Sequence, residues 1–205
     1  MKSTVNAFKT IMRSELPYWC YAKVLTMIQP YRDDTFEATE ILPGFWLGDI
    51  RSCSNSDHMK EHDIDVIISC YLGCSATFPY DFKYEKADLR DIENENILDD
   101  IERLVPDIHK YLNEKQSVLV HCIAGRSRST SVVAAYLMKY KNMSKDEALE
   151  FIKDKRSCIK PNEGYLNQLS EYEERCNAER NMNDVIENVE KNENGVIEME
   201  GKKYV

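Results

Sequence analysis

The chain has 205 residues, a net charge of −9 and 42% hydrophobic side chains, which fits one folded domain with appendages rather than several domains or a disordered polymer. The acidic balance argues against partners held by bulk positive charge, nucleic acid and anionic membranes among them. No apolar run approaches the length of a transmembrane helix, and the N-terminus lacks the apolar core and small-residue cleavage site of a secretory signal.

In chain order, residues 1–38 come first, with Phe8, Ile11, Met12, Leu16, Trp19, Val24, Leu25 and Ile28. They are too apolar for a disordered tail. They predict one or two short helices, broken near Pro17, that pack on their own domain or mediate self-association. Strands are expected near 40–47, 65–70, 81–86 and 117–121, and helices near 55–62, 97–113, 129–141, 145–154 and 162–177. Ile97, Ile101, Leu104, Val105, Ile108 and Leu112 recur at helical spacing, and Ser144 with Glu147 forms a capping box. Helices between strands point to an α/β fold: a central, mostly parallel twisted sheet of about four to five strands, flanked by helices on both faces. Residues 39–177 therefore form the domain. Residues 178–205, rich in Asn, Glu and Lys, read as a frayed helix and an acidic flexible tail. From Glu171 to Val205 there are ten acids and five bases, so much of the negative charge lies away from the middle of the chain.

The most informative stretch is His121-Cys122-Ile123-Ala124-Gly125-Arg126-Ser127-Arg128-Ser129. Val118, Leu119 and Val120 before it read as a buried strand, and a helical pattern follows from Ser129. Gly125 gives the connecting loop conformational freedom and room for close backbone approach. Successive N–H groups of such a loop can form an anion-binding nest at a helix N-terminus. Arg128 adds a planar fork suited to two phosphoryl oxygens. A cysteine in that field is a thiolate, able to attack phosphorus and form a thiophosphate. A Cys followed six residues later by Arg is weak evidence alone. The other cysteines, Cys20, Cys53, Cys70, Cys74, Cys158 and Cys176, have Thr26, Met59, Ala76, Tyr80, Gly164 and Met182 at that distance, so only Cys122 qualifies.

The His-Cys-x5-Arg-Ser run resembles the signature of cysteine-dependent protein tyrosine phosphatases, and more narrowly of the dual-specificity phosphatases. Four stretches carry the resemblance between about Thr39 and Glu174: Glu40 to Gly48, Ile64 to Ser69, Ala134 to Met138, and Lys160 to Leu169. It implies a phosphatase-type α/β domain that needs no cofactor or metal. It also implies hydrolysis of phosphotyrosine and phosphoserine/threonine in phosphoprotein substrates. The alternatives are a lipid phosphatase of phosphoinositide or phosphatidylglycerophosphate type, and a non-catalytic phosphoprotein-binding scaffold. The lipid reading is motivated by Arg126, an extra cation where the family usually has a small or aliphatic residue.

The resemblance also distributes roles. Cys122 is the nucleophile, and Ile123, Ala124, Gly125, Arg126, Ser127 and Arg128 line the phosphate loop. Ser129 donates a hydrogen bond to the sulfur, although Ser at a helix start is favoured anyway. His121 orients the loop rather than acting as a base, and Asn162 buttresses it from a distant segment. One carboxyl group must protonate the leaving oxygen and later activate water. Asp88, Asp91, Glu93 and Glu95 all lie in the right region. Asp91, six residues before Ile97, matches the family's Asp-x5-Ile pattern, with Asp88 as the reserve. A catalytic thiolate and seven cysteines without a paired framework fit a reducing intracellular setting, the cytoplasm first and the nucleus still open. Cys70 and Cys74 could protect Cys122 by oxidation, but read more simply as ordinary buried thiols. His58 and His62 have a metal-like spacing with no third ligand and read as a solvated helix face.

Overall fold

The computed structural model describes residues 37–200. The extension expected at 1–38, apart from its last two residues, lies outside them. Eleven elements follow one another: β1 (Ala38–Leu42), β2 (Phe45–Gly48), a 3-10 turn (Ile50–Cys53), α1 (Ser56–Glu61), β3 (Ile64–Cys70), β4 (Lys83–Ala87), α2 (Leu98–Asn113), β5 (Ser117–His121), α3 (Arg128–Tyr140), α4 (Lys145–Lys155) and α5 (Glu163–Glu200).

The single strand expected at 40–47 is instead a hairpin. Pro43 and Gly44 turn the chain, with Gly44 at φ 71°, and β1 runs back antiparallel to β2 with Glu40 opposite Trp46. The sheet has five strands in the order β1-β2-β5-β3-β4. Every pairing but the edge hairpin is parallel, as the alternation of helices and strands predicts. β5 is the middle strand and is covered on both faces, so its three central residues, Val118, Leu119 and Val120, are all apolar and fully buried.

The two faces are covered unequally. Val66, Ile68, Val118 and Val120 point to the side where α2, α3, α4 and α5 pack, meeting Ile101, Leu104, Val133, Leu137, Tyr165 and Leu169. Ile67 and Leu119 point the other way, to a smaller cluster with Ile50, Met59, Tyr71 and Phe82. Side-chain caps fix three of the helix starts, with Asn55 accepting from the Asp57 and His58 N–H groups at α1. At α4 both halves of the Ser144–Glu147 box are formed, and at α5 the Asn162 side chain accepts from the Tyr165 N–H at 2.9 Å.

α5 does not end near 177. It runs to Glu200, because nothing in 178–200 stops a helix: that stretch holds no proline and a single glycine, Gly195. Its first turns bury Tyr165, Leu169, Tyr172 and Cys176 against the domain. After Arg180, which donates to Asn142, the apolar Met182, Val185 and Ile186 are exposed. His62 also differs from expectation, since its ring packs on Trp46 with centroids 5.0 Å apart. Among the described residues, no helix is long and apolar enough to cross a membrane.

Candidate active site

The site is built where β5 ends. Strands beside β5 stop at the same level, with Gly48 and Ser69 paired to His121, so the next residue, Cys122, emerges at the carboxyl edge of the sheet, where ligands bind in such folds. Side chains alternate along a strand, and the last residue of β5 and the first of the loop therefore face opposite ways. Cys122 belongs to the helix-side core. His121 points to the other face, where Ser69 Oγ lies 2.8 Å from its Nε2 and Cys53 Sγ 3.5 Å away. Burial holds the His121 ring neutral, its pKa lowered to about 4. This is a ring that ties strand ends together.

From Cys122 the chain folds into a cradle and enters α3. Gly125 sits at φ 61°, in the left-handed region. A Cβ there would lie 2.6 Å from the Gly48 carbonyl oxygen and 2.8 Å from Arg156 Nη2, so glycine is required both for conformation and for space. The Gly125 N–H and the Ser129 hydroxyl both donate to Cys122 Sγ at 3.2 Å. Burial alone would push the thiol up. The Arg128 guanidinium, the Ser129 hydroxyl and loop amides outweigh it and hold Cys122 below the ordinary thiol value. The neighbouring thiols show the contrast: burial pushes Cys70 well up and Cys53 up to about 12. Cys70 extends on Cys122's side of the sheet, whereas Cys74 packs on the other side, and both are free thiols.

Asp91 is brought to the cradle by three groups. Ser127 Oγ donates to its Oδ1 at 2.7 Å and Asn162 Nδ2 donates to the same oxygen at 2.9 Å. Arg128 Nε lies 3.7 Å from the other oxygen. Arg128 itself is buried, 3% exposed, and its Nη1 reaches the Leu89 carbonyl at 3.4 Å. The other acids of the region are turned elsewhere. Asp88 accepts from the Gly73 N–H and pairs with Lys86, and Glu95 pairs with Arg90 at 2.7 Å. Glu93 presents its backbone to Gly164.

Cys122, Gly125, Ser127, Arg128, Ser129, Asp91 and Asn162 are therefore tied around one cradle, with His121 behind it, whereas Ile123 packs against the smaller cluster on the other face. Asn162 does more than buttress the loop, since its backbone N–H also donates to Ser127 Oγ at 3.3 Å. Arg126 is exposed at the rim, but its Nε donates to the Cys158 carbonyl at 2.8 Å and its own carbonyl accepts from the Lys160 N–H. It clamps the segment after α4 to the loop. Two features escaped the sequence reading. The Ser127 hydroxyl holds Asp91 instead of capping α3. Arg156 donates to the Gly125 carbonyl at 3.1 Å. The first could have been sought among the loop hydroxyls; the second has no local signal.

A buried low-pKa thiol in a loop between a parallel strand and a helix, with a buried arginine and a carboxylate bonded to the same loop, defines a cysteine-dependent phosphatase. The family model described as "Dual specificity phosphatase, catalytic domain" matches residues 45–175. Dual specificity protein phosphatase 1 of Arabidopsis thaliana is 33% identical over 151 residues, 74% of this chain and 76% of that protein. Dual specificity protein phosphatase 8 of Homo sapiens is 35% identical over 136 residues, but these are only 22% of its length. Among solved structures, the human tyrosine phosphatase-like serine/threonine/tyrosine-interacting protein is 34% identical with a TM-score of 0.65, covering 68% of this chain and 97% of that one. DUSP15 is 29% identical, also with a TM-score of 0.65, covering 68% of this chain and 88% of that one. The chain belongs to the dual-specificity phosphatase family, and its domain is that of a protein phosphatase.

Proposed function

We propose that the protein removes phosphate from phosphotyrosine and phosphoserine/threonine in proteins through a cysteinyl-phosphate intermediate. The Cys122 thiolate attacks phosphorus while the bond to the leaving oxygen breaks. Asp91, as its carboxylic acid, gives that oxygen a proton. Asp91, now a carboxylate, takes a proton from water; the water oxygen attacks phosphorus, the S–P bond breaks, and inorganic phosphate leaves. Loop amides and Arg128 stabilise the equatorial oxygens throughout, and the Ser129 hydroxyl stabilises the departing thiolate. His121 fixes the strand end behind the cysteine and takes no proton.

The observation that carries this reading is the shared hold on Asp91: Ser127 of the phosphate loop and Asn162 at the start of α5 bond one carboxylate oxygen. Protein rather than lipid substrates are favoured because Arg126, the residue that suggested an anionic head group, is bonded to the Cys158 carbonyl. A panel spanning phosphopeptides, phosphoinositides and phosphatidylglycerophosphate tests it. Turnover of phosphotyrosine and phosphothreonine peptides is expected, abolished by Cys122→Ser. Faster lipid turnover would reverse the substrate assignment, and hydrolysis surviving in Cys122→Ser would remove the mechanism.

The same reading includes a reducing intracellular setting, which a low-pKa thiolate favours; recovery of the protein with Cys122 oxidised in cells would count against it. It also includes self-association through residues 1–38, supported by their apolar content. Sedimentation of the chain with and without that segment would test this.

A further inference from the structure

Arg156 closes the C-terminal end of α4 and is buried, 9% exposed. Its Nε donates to the Gly125 carbonyl at 3.1 Å, and its Nη1 to the Glu37 carbonyl at 3.1 Å and to Thr39 Oγ1 at 3.3 Å. Its Nη2 occupies the space that a side chain at position 125 would take. Every one of these acceptors is neutral, and among the described residues Arg156 forms no ion pair. A guanidinium taken out of water without a carboxylate is costly, and carbonyl dipoles compensate only in part. Its neighbours explain what that charge does. The peptide joining Gly125 to Arg126 is planar and trans, so its C=O and N–H point in opposite directions. Drawing the Gly125 oxygen outward to Arg156 turns the Arg126 N–H inward, to the side where Cys122 and the Gly125 N–H already converge.

We propose that Arg156 is a positioning residue of the phosphate loop: it fixes the Gly125–Arg126 peptide so that its N–H faces the bound phosphoryl group, and it sets a second positive charge beneath the cradle. The assignment rests on the reading of Cys122 as the phosphate-binding nucleophile. Arg128 meets the oxyanion directly, whereas Arg156 acts through the backbone that surrounds it. The fork also ties the loop to the start of β1, so the segment that enters the sheet and the loop that holds phosphate share one cation.

The test uses the full chain with Arg156→Gln, Arg156→Lys and, as a control for net charge, Lys155→Gln, which removes an exposed cation one residue away. Three quantities are measured: the pH midpoint of Cys122 alkylation by iodoacetamide, the affinity for orthovanadate, and the urea midpoint. Arg156→Gln is expected to raise the alkylation midpoint and to weaken vanadate about tenfold, the size of one misdirected hydrogen bond to a charged group. Arg156→Lys is expected to restore the alkylation midpoint by keeping the charge, while vanadate stays weak because one ammonium cannot span the three acceptors. Lys155→Gln is expected to change neither. A folded Arg156→Gln with unchanged titration and vanadate affinity would reduce Arg156 to a strut. If that variant does not fold, Arg156→Lys with parental vanadate affinity overturns the proposal equally. A parent protein whose Cys122 resists alkylation at all pH values would instead defeat the reading of the nucleophile, not that of Arg156.

Discussion

One oxygen of Asp91 is bonded by Ser127 and Asn162, residues 35 positions apart that themselves touch through the Asn162 N–H. That leaves the second oxygen beside Arg128, without a hydrogen bond from either of those two residues. Asp91→Ala is therefore expected to slow hydrolysis of alkyl phosphates about 10²–10⁴-fold, the usual worth of a placed general acid. Aryl phosphates with good leaving groups, which need little protonation, should be affected far less; steady-state kinetics on a leaving-group series checks this. An equal loss along the series would place the proton donor elsewhere. At this scale the sequence was informative wherever spacing is fixed by one turn of backbone: Cys122, Arg128 and Ser129 share a single loop, and Asp91 stands a set distance before a helix. Arg156 was illegible, because its three acceptors lie 31 to 119 residues away.

The loop carrying Asp91 is clamped to the first turns of α5. Tyr165 Oη donates to the Arg90 carbonyl at 2.5 Å, Gln168 Nε2 to the Glu95 carbonyl at 2.8 Å, and Gln168 Oε1 accepts from the Ile97 N–H at 2.8 Å. That last bond also satisfies one of the orphan donors opening α2. Gly164 makes the approach possible: a Cβ there would lie 1.8 Å from the Glu93 carbonyl oxygen. Gly164→Ala should leave α5 helical, since alanine is a better helix former, while pushing the acid loop outward. The expected result is a kcat loss of about 10²-fold, the effect of an ångström of misplacement, with unchanged helical circular dichroism and unchanged alkylation of Cys122. Loss of helix signal or of thiol reactivity would show the clamp to be something else. The resemblance named this stretch without revealing why its Gly and Gln are needed, because the reason lies in a loop some seventy residues away. The hairpin was missed for a different reason. Its Pro43-Gly44 turn signal is present, but the apolar residues on either side fit one continuous strand equally well.

The whole molecule answers to pH through the face opposite the thiol. His121 is buried and neutral, with a folded pKa of about 4 against an ordinary 6.5. The unfolded chain therefore binds a proton more readily, and stability from this group is complete above about 6.5 and is lost as pH falls towards 4. The gap is worth roughly 3 kcal/mol, a large part of a typical domain's margin. Urea midpoints are expected to fall over that window in the parent and to fall less in His121→Gln, whose side chain does not titrate; parallel curves would remove His121 as the cause. The fold class and the parallel order were readable from the alternation of helices and strands. The continuation of α5 to Glu200 was legible only in part: the lack of proline allows the frayed helix expected there, but composition does not say where such a helix ends.

The clamp between the acid loop and α5 also limits how this domain can be recombined. Residues 88–97 and 162–168 form one interchangeable part although they lie far apart in the chain. A graft that imports another phosphatase's acid loop without its own helix start would set foreign backbone against Gly164, where there is no room for it to shift. It would also leave Gln168 facing carbonyl and N–H groups at the wrong height. Crossovers before residue 88 or after residue 168 would keep that pair together, whereas a crossover between unlike parents inside α3 or α4 would part the two segments and inherit a complete phosphate cradle with its proton donor out of place.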